Sequence, residues 1–320
     1  MFLLLDHAER SNDPVSELYG FVLDHAERAD SLGYDSLWLA EHHYGTLGTV
    51  PNPAVLLSAI AARTKRLRVG PSVAILPYRQ AVFAAEDYAM VDIIAEGRLN
   101  MGVGAGSQRD EIEGLGIDFD SRWDAYRQNL STLRGLWANA SLNVSPRQQP
   151  LPPFYVATMN ETNARDAGHN GDGVLTLLTP GARSLDALAR LIAAHQEGLS
   201  NAGYHQDTAD VVVVQFAQVG TNDEAVCRQS VAALQQLLTV MSGDGRQAQE
   251  AFDAMRAGST GCFGTPTKAQ ATIEDLAAFG VRHVAFVTRF GDLNADMAHE
   301  TLRLLAPKHG EQHDQLSMAG

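Results

Sequence analysis

The chain has 320 residues, 45% apolar and 19% charged, with 28 Gly and 12 Pro; a disordered or fibrous protein is excluded and a sizeable core expected. Its 38 acidic residues against 24 Lys and Arg give a formal net charge of −14, which argues against nucleic acid or an anionic membrane surface as a partner. Cys227 and Cys262 are the only cysteines, too few and too far apart for a disulfide framework or a Cys/His metal site.

From the N-terminus, Phe2–Leu5 reads as a first strand. The segment Met1–Asp6 has no basic residue, so it does not read as a secretory signal. No run approaches the ~20 apolar residues of a membrane span, and a cytoplasmic location is expected. A helix is expected over Val15–Leu32, ended by Gly33 in a left-handed conformation, and a second strand over Ser36–Leu39. Pro53–Arg63 reads as a helix with Pro at its start, Leu67–Ala74 as a strand, and Ala81–Ala95 as a helix closed by Glu96-Gly97. Arg98–Val103 is the fourth expected strand, and a polar stretch leads to a helix around Trp123–Leu136.

The rhythm continues with strand Phe154–Ala157, helix Glu161–Ala167, strand Gly173–Leu177, helix Leu185–Asn201, strand Val211–Gln218 and helix Asp223–Val240. Helix Lys268–Phe279 and strand Val281–Thr288 complete it. Sequential strand–helix units imply parallel pairing with crossover helices, and eight of them predict an α/β fold, a (β/α)8 TIM barrel forming one domain over residues 1–320. Two segments break the rhythm. Ser107–Arg122 is Gly- and acid-rich, and Ser242–Thr260 is polar and bounded by Gly. Both are expected as lids or binding loops, the second as an insertion or mobile loop before the last barrel unit.

In such a barrel, reactive groups stand at the C-terminal ends of strands. There Leu37-Trp38-Leu39-Ala40 empties into Glu41-His42-His43. Adjacent side chains on extended backbone point to opposite faces, so His42 and His43 cannot share one cavity or one metal ion. At most one of the two can face the cavity as a proton-transfer group, and a structural role for either is the alternative. After the fourth strand, Gly102-Val103-Gly104-Ala105-Gly106-Ser107 lacks the third glycine of a dinucleotide fingerprint. Gly104 and Gly106 fit two readings: close backbone approach to something flat or phosphorylated, or tight packing of the loop on the barrel. Thr162, where a helix begins after Val156-Ala157-Thr158-Met159-Asn160, is equally an anion-site hydroxyl or an ordinary helix cap.

Several ordered stretches together resemble the bacterial luciferase-like family of flavin monooxygenases. They are Gly33-Tyr34-Asp35-Ser36-Leu37-Trp38-Leu39-Ala40-Glu41-His42-His43, Val69-Gly70 through Leu76-Pro77, Ala85-Glu86-Asp87, Gly97-Arg98-Leu99-Asn100-Met101-Gly102-Val103-Gly104 and Phe263-Gly264-Thr265-Pro266. The resemblance implies an oxidoreductase that binds reduced FMN at the barrel mouth, forms a C4a-peroxyflavin with O2 and inserts one oxygen atom into a small organic substrate. It gives His42 the role of catalytic histidine. It also implies a non-proline cis peptide at Ser72-Val73 beneath the flavin ring. Gly104, Ala105 and Gly106, with Thr158, Met159 and Thr162, would then hold the phosphate end.

Helices Pro53–Arg63 and Ala81–Ala95 match the family's dimerisation bundle, so a homodimer is implied. The Ser242–Thr260 segment matches a mobile shielding loop. Where bacterial luciferase has a phosphate-binding arginine this chain has Ala105; a reactive cysteine is replaced by Gly104 and a carboxylate by Thr158. Phosphate binding would lean on amides and hydroxyls or borrow Arg109 or Arg165. Weak, diffusible binding of reduced FMN delivered by a separate flavin reductase is therefore expected. Pocket walls are expected from Leu5–Ser11, Tyr44–Asn52, Tyr78, Ser107–Arg122 and Ser242–Thr260, and an uncharged or aromatic substrate is favoured, of the natural-product or similar kind. Two rivals share the barrel: an F420-dependent oxidoreductase, which moves hydride without oxygen, and a non-catalytic flavin-binding subunit. No metal is expected in any of these readings.

Overall fold

The computed structural model describes residues 1–4, 15–44, 47–178, 184–205 and 210–307; the expected wall Leu5–Ser11 lies outside them. The first half runs β1 (Phe2–Leu3), α1 (Val15–Ser31), β2 (Ser36–Leu39), α2 (Pro53–Arg63), β3 (Arg68–Pro71), β4 (Ala74–Ile75), α3 (Ala81–Ile94), β5 (Met101–Gly104), α4 (Arg109–Gly114) and α5 (Arg122–Ala138). There follow β6 (Phe154–Ala157), α6 (Glu161–His169), β7 (Gly173–Leu178), α7 (Leu185–Asn201), β8 (Val211–Val219), α8 (Asp223–Ser242) and α9 (Ala248–Ala257). The chain ends with β9 (Cys262–Gly264), α10 (Pro266–Ala278), β10 (His283–Val287) and α11 (Ala295–Leu304).

Every strand pairing among these elements is parallel, in the order β3-β2-β1-β10-β8-β7-β6-β5-β4. β3 and β4 are two halves of one barrel strand, interrupted at Ser72–Val73, whose peptide bond is cis. β3 pairs with β2 on one side. On the other, Val69 N–H donates to Arg98 O and Asn100 N–H to Val69 O, which closes the ring against the approach to β5. β9 stands outside the ring, paired with the far end of β8 from Ala217↔Cys262 to Val219↔Gly264.

The strands form because β-branched and aromatic residues alternate between two apolar environments. Phe2, Trp38, Leu175, Val212, Val214, Phe216 and Val287 belong to one buried cluster, the barrel interior; Val69, Val103, Val174, Val211 and Val213 belong to a second, under the helix layer. The helices start where a side-chain oxygen satisfies the first free amides: Asn52 on α2, Asn160 on α6, Ser184 on α7, Asn222 on α8 and Asn294 on α11.

The expected elements agree with the observed ones to within a few residues. The fourth strand shows the largest shift: Arg98 to Asn100 pair through the backbone with Val69 alone, ahead of the β5–β6 ladder that begins at Met101, while the Arg98 guanidinium donates to the carbonyls of Ala61, Thr64 and Leu67. The Ser242–Thr260 insertion lies before the last barrel unit, but residues 248–257 are helix rather than loop. Ala248, Phe252 and Met255 recur at helical spacing and are buried, Phe252 against Phe263, and Arg256 pairs with Asp223. Within Ser107–Arg122, residues 109–114 form α4, with Asp110 and Glu111 in the first turn, where the helix dipole favours them. No described helix is long and apolar enough to cross a membrane.

Candidate active site

The C-terminal ends of the strands open into a cavity of about 620 Å³. Its floor is barrel interior: Phe2, Ala40, Leu175, Val214, Phe216 and Val287. One side is polar, with Ser107, Gln108 and Arg122 between β5 and α5 and Thr158, Asn160 and Asn163 at the β6–α6 junction. The opposite side is apolar, with Leu4, Leu47, Leu177 and Met241.

His42 lies just past β2 on this cavity, its backbone N–H donating to Val50 O. Its ring is steered by α4. The distance from His42 Nδ1 to Glu111 Oε1 is 2.9 Å, with only 16% and 9% of the two side chains exposed. A carboxylate can only accept, so Nδ1 carries the proton and Nε2 is left as the proton acceptor. Glu111 Oε2 is buried and has no partner among the described residues. His43 turns the other way, as alternation requires: its Nε2 is 3.2 Å from Glu41 Oε1, and its ring packs edge-on against Tyr78. Glu41 is fully engaged, since Oε2 accepts from Ile75 N–H and Arg79 stands 3.8 Å from Oε1. The two histidines are thus a cavity residue and a structural one.

Seven of the expected cofactor residues line the cavity with His42: Ser72, Val73, Gly104, Ala105, Gly106, Thr158 and Met159. Thr162 does not. It is exposed on the first turn of α6, and the cap is Asn160, whose Oδ1 accepts from Thr162 and Asn163 N–H. Asn160 and Asn163, not Thr162, reach the cavity. Of the two readings of the glycines, packing accounts for both. A Cβ on Gly104 would stand 2.6 Å from Val73 Cγ2; Gly106 has φ +82° and is hemmed in by Ile75, Ile112 and Tyr78.

The arginines also sort differently. Arg109 is held by Glu113 and Asp120, and Arg165 by Glu197, away from the cavity. Among the described lining residues the cation is Arg122, which sequence reasoning missed. Its Nε and Nη1 donate to Gly106 O and Phe119 O, and its guanidinium lies 3.6 Å from the centre of the Phe119 ring. Glu111 was missed as well. In the sequence it is one acid among several in a polar stretch, 69 residues from His42.

A family model described as luciferase-like monooxygenase matches residues 1–283. The chain belongs to the luciferase-like monooxygenase family. Among curated members, it is 30% identical over 202 residues to limonene 1,2-monooxygenase of Rhodococcus erythropolis, covering 59% of this chain and 52% of that one. It is 29% identical over 190 residues to the oxygenase component of the flavin-dependent trigonelline monooxygenase of Acinetobacter baylyi, covering 54% and 53%. The match thus spans about half the length of these relatives. The fold is that of monooxygenase RslO1 from Streptomyces bottropensis, with TM-score 0.88, 22% identity and coverage of 95% and 97%. The oxygenating constituent of 3,6-diketocamphane monooxygenase from Pseudomonas putida, solved with FMN, superposes with TM-score 0.77 at 19% identity over 96% and 97%. The F420-dependent tetrahydromethanopterin reductase of Methanopyrus kandleri does so with TM-score 0.74 at 18% identity over 96% of each. The luciferase-like fold therefore occurs with either cofactor.

Proposed function

We propose that this luciferase-like protein is the oxygenase component of a two-component FMN-dependent monooxygenase. It would take reduced FMN from a separate flavin reductase, use O2 as co-substrate and insert one oxygen atom into a small organic molecule. The observation that carries this reading is the His42–Glu111 pair at a cavity that is polar on one side and apolar on the other. A planar ring system fits against the apolar floor beside Ser72–Val73, and a phosphate fits the donors of Ser107, Arg122, Thr158 and Asn163. Bound reduced flavin would supply the reaction with oxygen. The chain's own part is to hold the ring, exclude water with Leu47 and Met241, and move a proton at His42 Nε2 while Glu111 stabilises the imidazolium.

The apolar side supports an uncharged substrate: with Arg122 committed to the phosphate, no described lining side chain is left to pair with a substrate anion. A natural product of terpene or polyketide character fits that wall. A homodimer through α2 and α3 is supported by Val55, Phe83, Met90, Ile93 and Ile94, all exposed on these two helices.

The second reading, F420-dependent hydride transfer, is favoured by the F420-dependent structural relative. The polyanionic tail of F420 needs more cations than Arg122, which weighs toward FMN. Oxygen uptake with photoreduced FMN, set against absorbance change of F420 under nitrogen, tests the choice. Uptake with the first and no change with the second is expected. Oxidised FMN retained tightly through purification would contradict the two-component reading.

A further inference from the structure

Near the His42–Glu111 pair, two buried polar atoms have no partners among the described residues: Glu111 Oε2 and the Tyr78 hydroxyl, whose phenol feels the Glu111 charge. Tyr78 stands between the two histidine–carboxylate pairs. Its ring centre is 5.1 Å from that of His43. On the other side its hydroxyl approaches the loop between β5 and α4 at Gly106: a Cβ built there would be 3.4 Å from the hydroxyl and 3.2 Å from Cδ1 of Ile112, the α4 neighbour of Glu111. Two carboxylates act on the phenol. Glu41 already has His43, the Ile75 amide and Arg79 around its oxygens, whereas Glu111 has one oxygen spent on His42 and one free. Burial, with the negative charges of Glu111 and Glu41 adding to it, holds the phenol above its ordinary range, so Tyr78 keeps its proton and can act only as a donor.

A buried donor and a buried acceptor left unpaired are each costly, and a small movement of the six-residue helix α4 would satisfy both. We propose that Tyr78 is a positioning residue: it donates its hydroxyl hydrogen to Glu111 Oε2 and so fixes the carboxylate, and through it the His42 ring, in one orientation. The chain Tyr78–Glu111–His42 leaves Nε2 as the sole open position of the relay. Its consequence for turnover rests on His42 handling the proton, but the alignment itself does not.

The test uses the full-length protein labelled with ¹⁵N at histidine, with and without reduced FMN under nitrogen. In Tyr78→Phe, which keeps the ring against His43, the ¹⁵N signals of His42 shift and broaden. Adding Tyr78→Phe to Glu111→Ala moves them no further. Oxygen use with reduced FMN slows about tenfold in Tyr78→Phe, the effect of one hydrogen bond to a charged group, while reduced-FMN affinity stays within about twofold. In tyrosine-labelled wild type, which depends on no variant folding, the Tyr78 hydroxyl proton is protected from exchange, and Glu111→Ala removes that protection. His42 signals unmoved by Tyr78→Phe, equal movement with and without Glu111, or a freely exchanging hydroxyl would overturn the proposal. A protein that never uses reduced FMN but gives these NMR results would instead overturn the proposed function alone.

Discussion

Two buried carboxylates, one at each end of the barrel, stand in opposite states. At the N-terminal end, Asp92 is wholly buried with both oxygens occupied: Oδ1 accepts from Leu99 N–H and Gln148 Nε2, and Oδ2 from Gln148 N–H. Arg68 completes the network through Asn100, Leu99 and Gln148. At the C-terminal end, among the described residues, Glu111 has one partner and one bare oxygen, and the Tyr78 hydroxyl has none. A saturated network has one stable arrangement and ties α3, β3 and β5 together. An incomplete one can accept a further donor or a proton, which is what a reaction requires. Between Asp92 and Glu111, polar satisfaction rather than burial is what differs, for Glu41 beside the cavity is as fully partnered as Asp92.

The contrast is sharpest in the two residues it makes indispensable. Replacing His42 by Ala should lower oxygen transfer about 10²–10³-fold, as expected for loss of a proton-transfer group, with the melting temperature nearly unchanged. Turnover within a few-fold of wild type would break the assignment. Replacing Asp92 by Ala should do the reverse. It removes the acceptor of the buried Leu99 amide and of two part-buried Gln148 donors and should cost about 3 kcal/mol in urea unfolding, with reduced-FMN affinity of the folded fraction unaltered.

Asp172 is an exception at the saturated end. Burial outweighs its pairing with Arg134 and raises its pKa to about 6. A carboxyl raised above its unfolded value of 3.8 favours the protonated folded state, so stability is lost as pH rises from about 4 to about 6. At about 1.4 kcal/mol per unit, a loss of about 3 kcal/mol is expected across that window. It should disappear in Asp172→Asn when the two proteins are unfolded in urea at each pH. The smallest effect is on the polar wall. Arg122→Ala should weaken reduced FMN about tenfold, by anaerobic titration, with no change in unfolding.

Much of the architecture was legible because strand and helix periodicities are local. Val211–Val214 is an unbroken β-branched run, and Pro53, Gly33 and Gly97 punctuate as their backbone chemistry dictates. Helix α9 was not, since Phe252 and Met255 are sparse among polar neighbours and signify burial only once Phe263 is opposite them. The separation of His42 from His43 followed from alternation along one strand, and the choice of His42 from the family resemblance. Glu111 and Arg122 could not follow in that way. Three arginines (109, 122 and 165) were chemically equivalent in the sequence, and only tertiary ion pairing leaves Arg122 facing the cavity. Thr162 and Asn160 likewise offer the same cap chemistry, and the strand's exit angle chose Asn160.

The central claim, that this cavity presents reduced flavin to oxygen beside His42, is tested most directly by anaerobic titration with reduced FMN followed by admission of O2. The account predicts saturable binding of reduced FMN, at least about tenfold tighter than oxidised FMN, and oxygen uptake that Glu111→Ala impairs together with His42→Ala. No binding of reduced FMN, with hydride transfer to F420 under nitrogen instead, would contradict it.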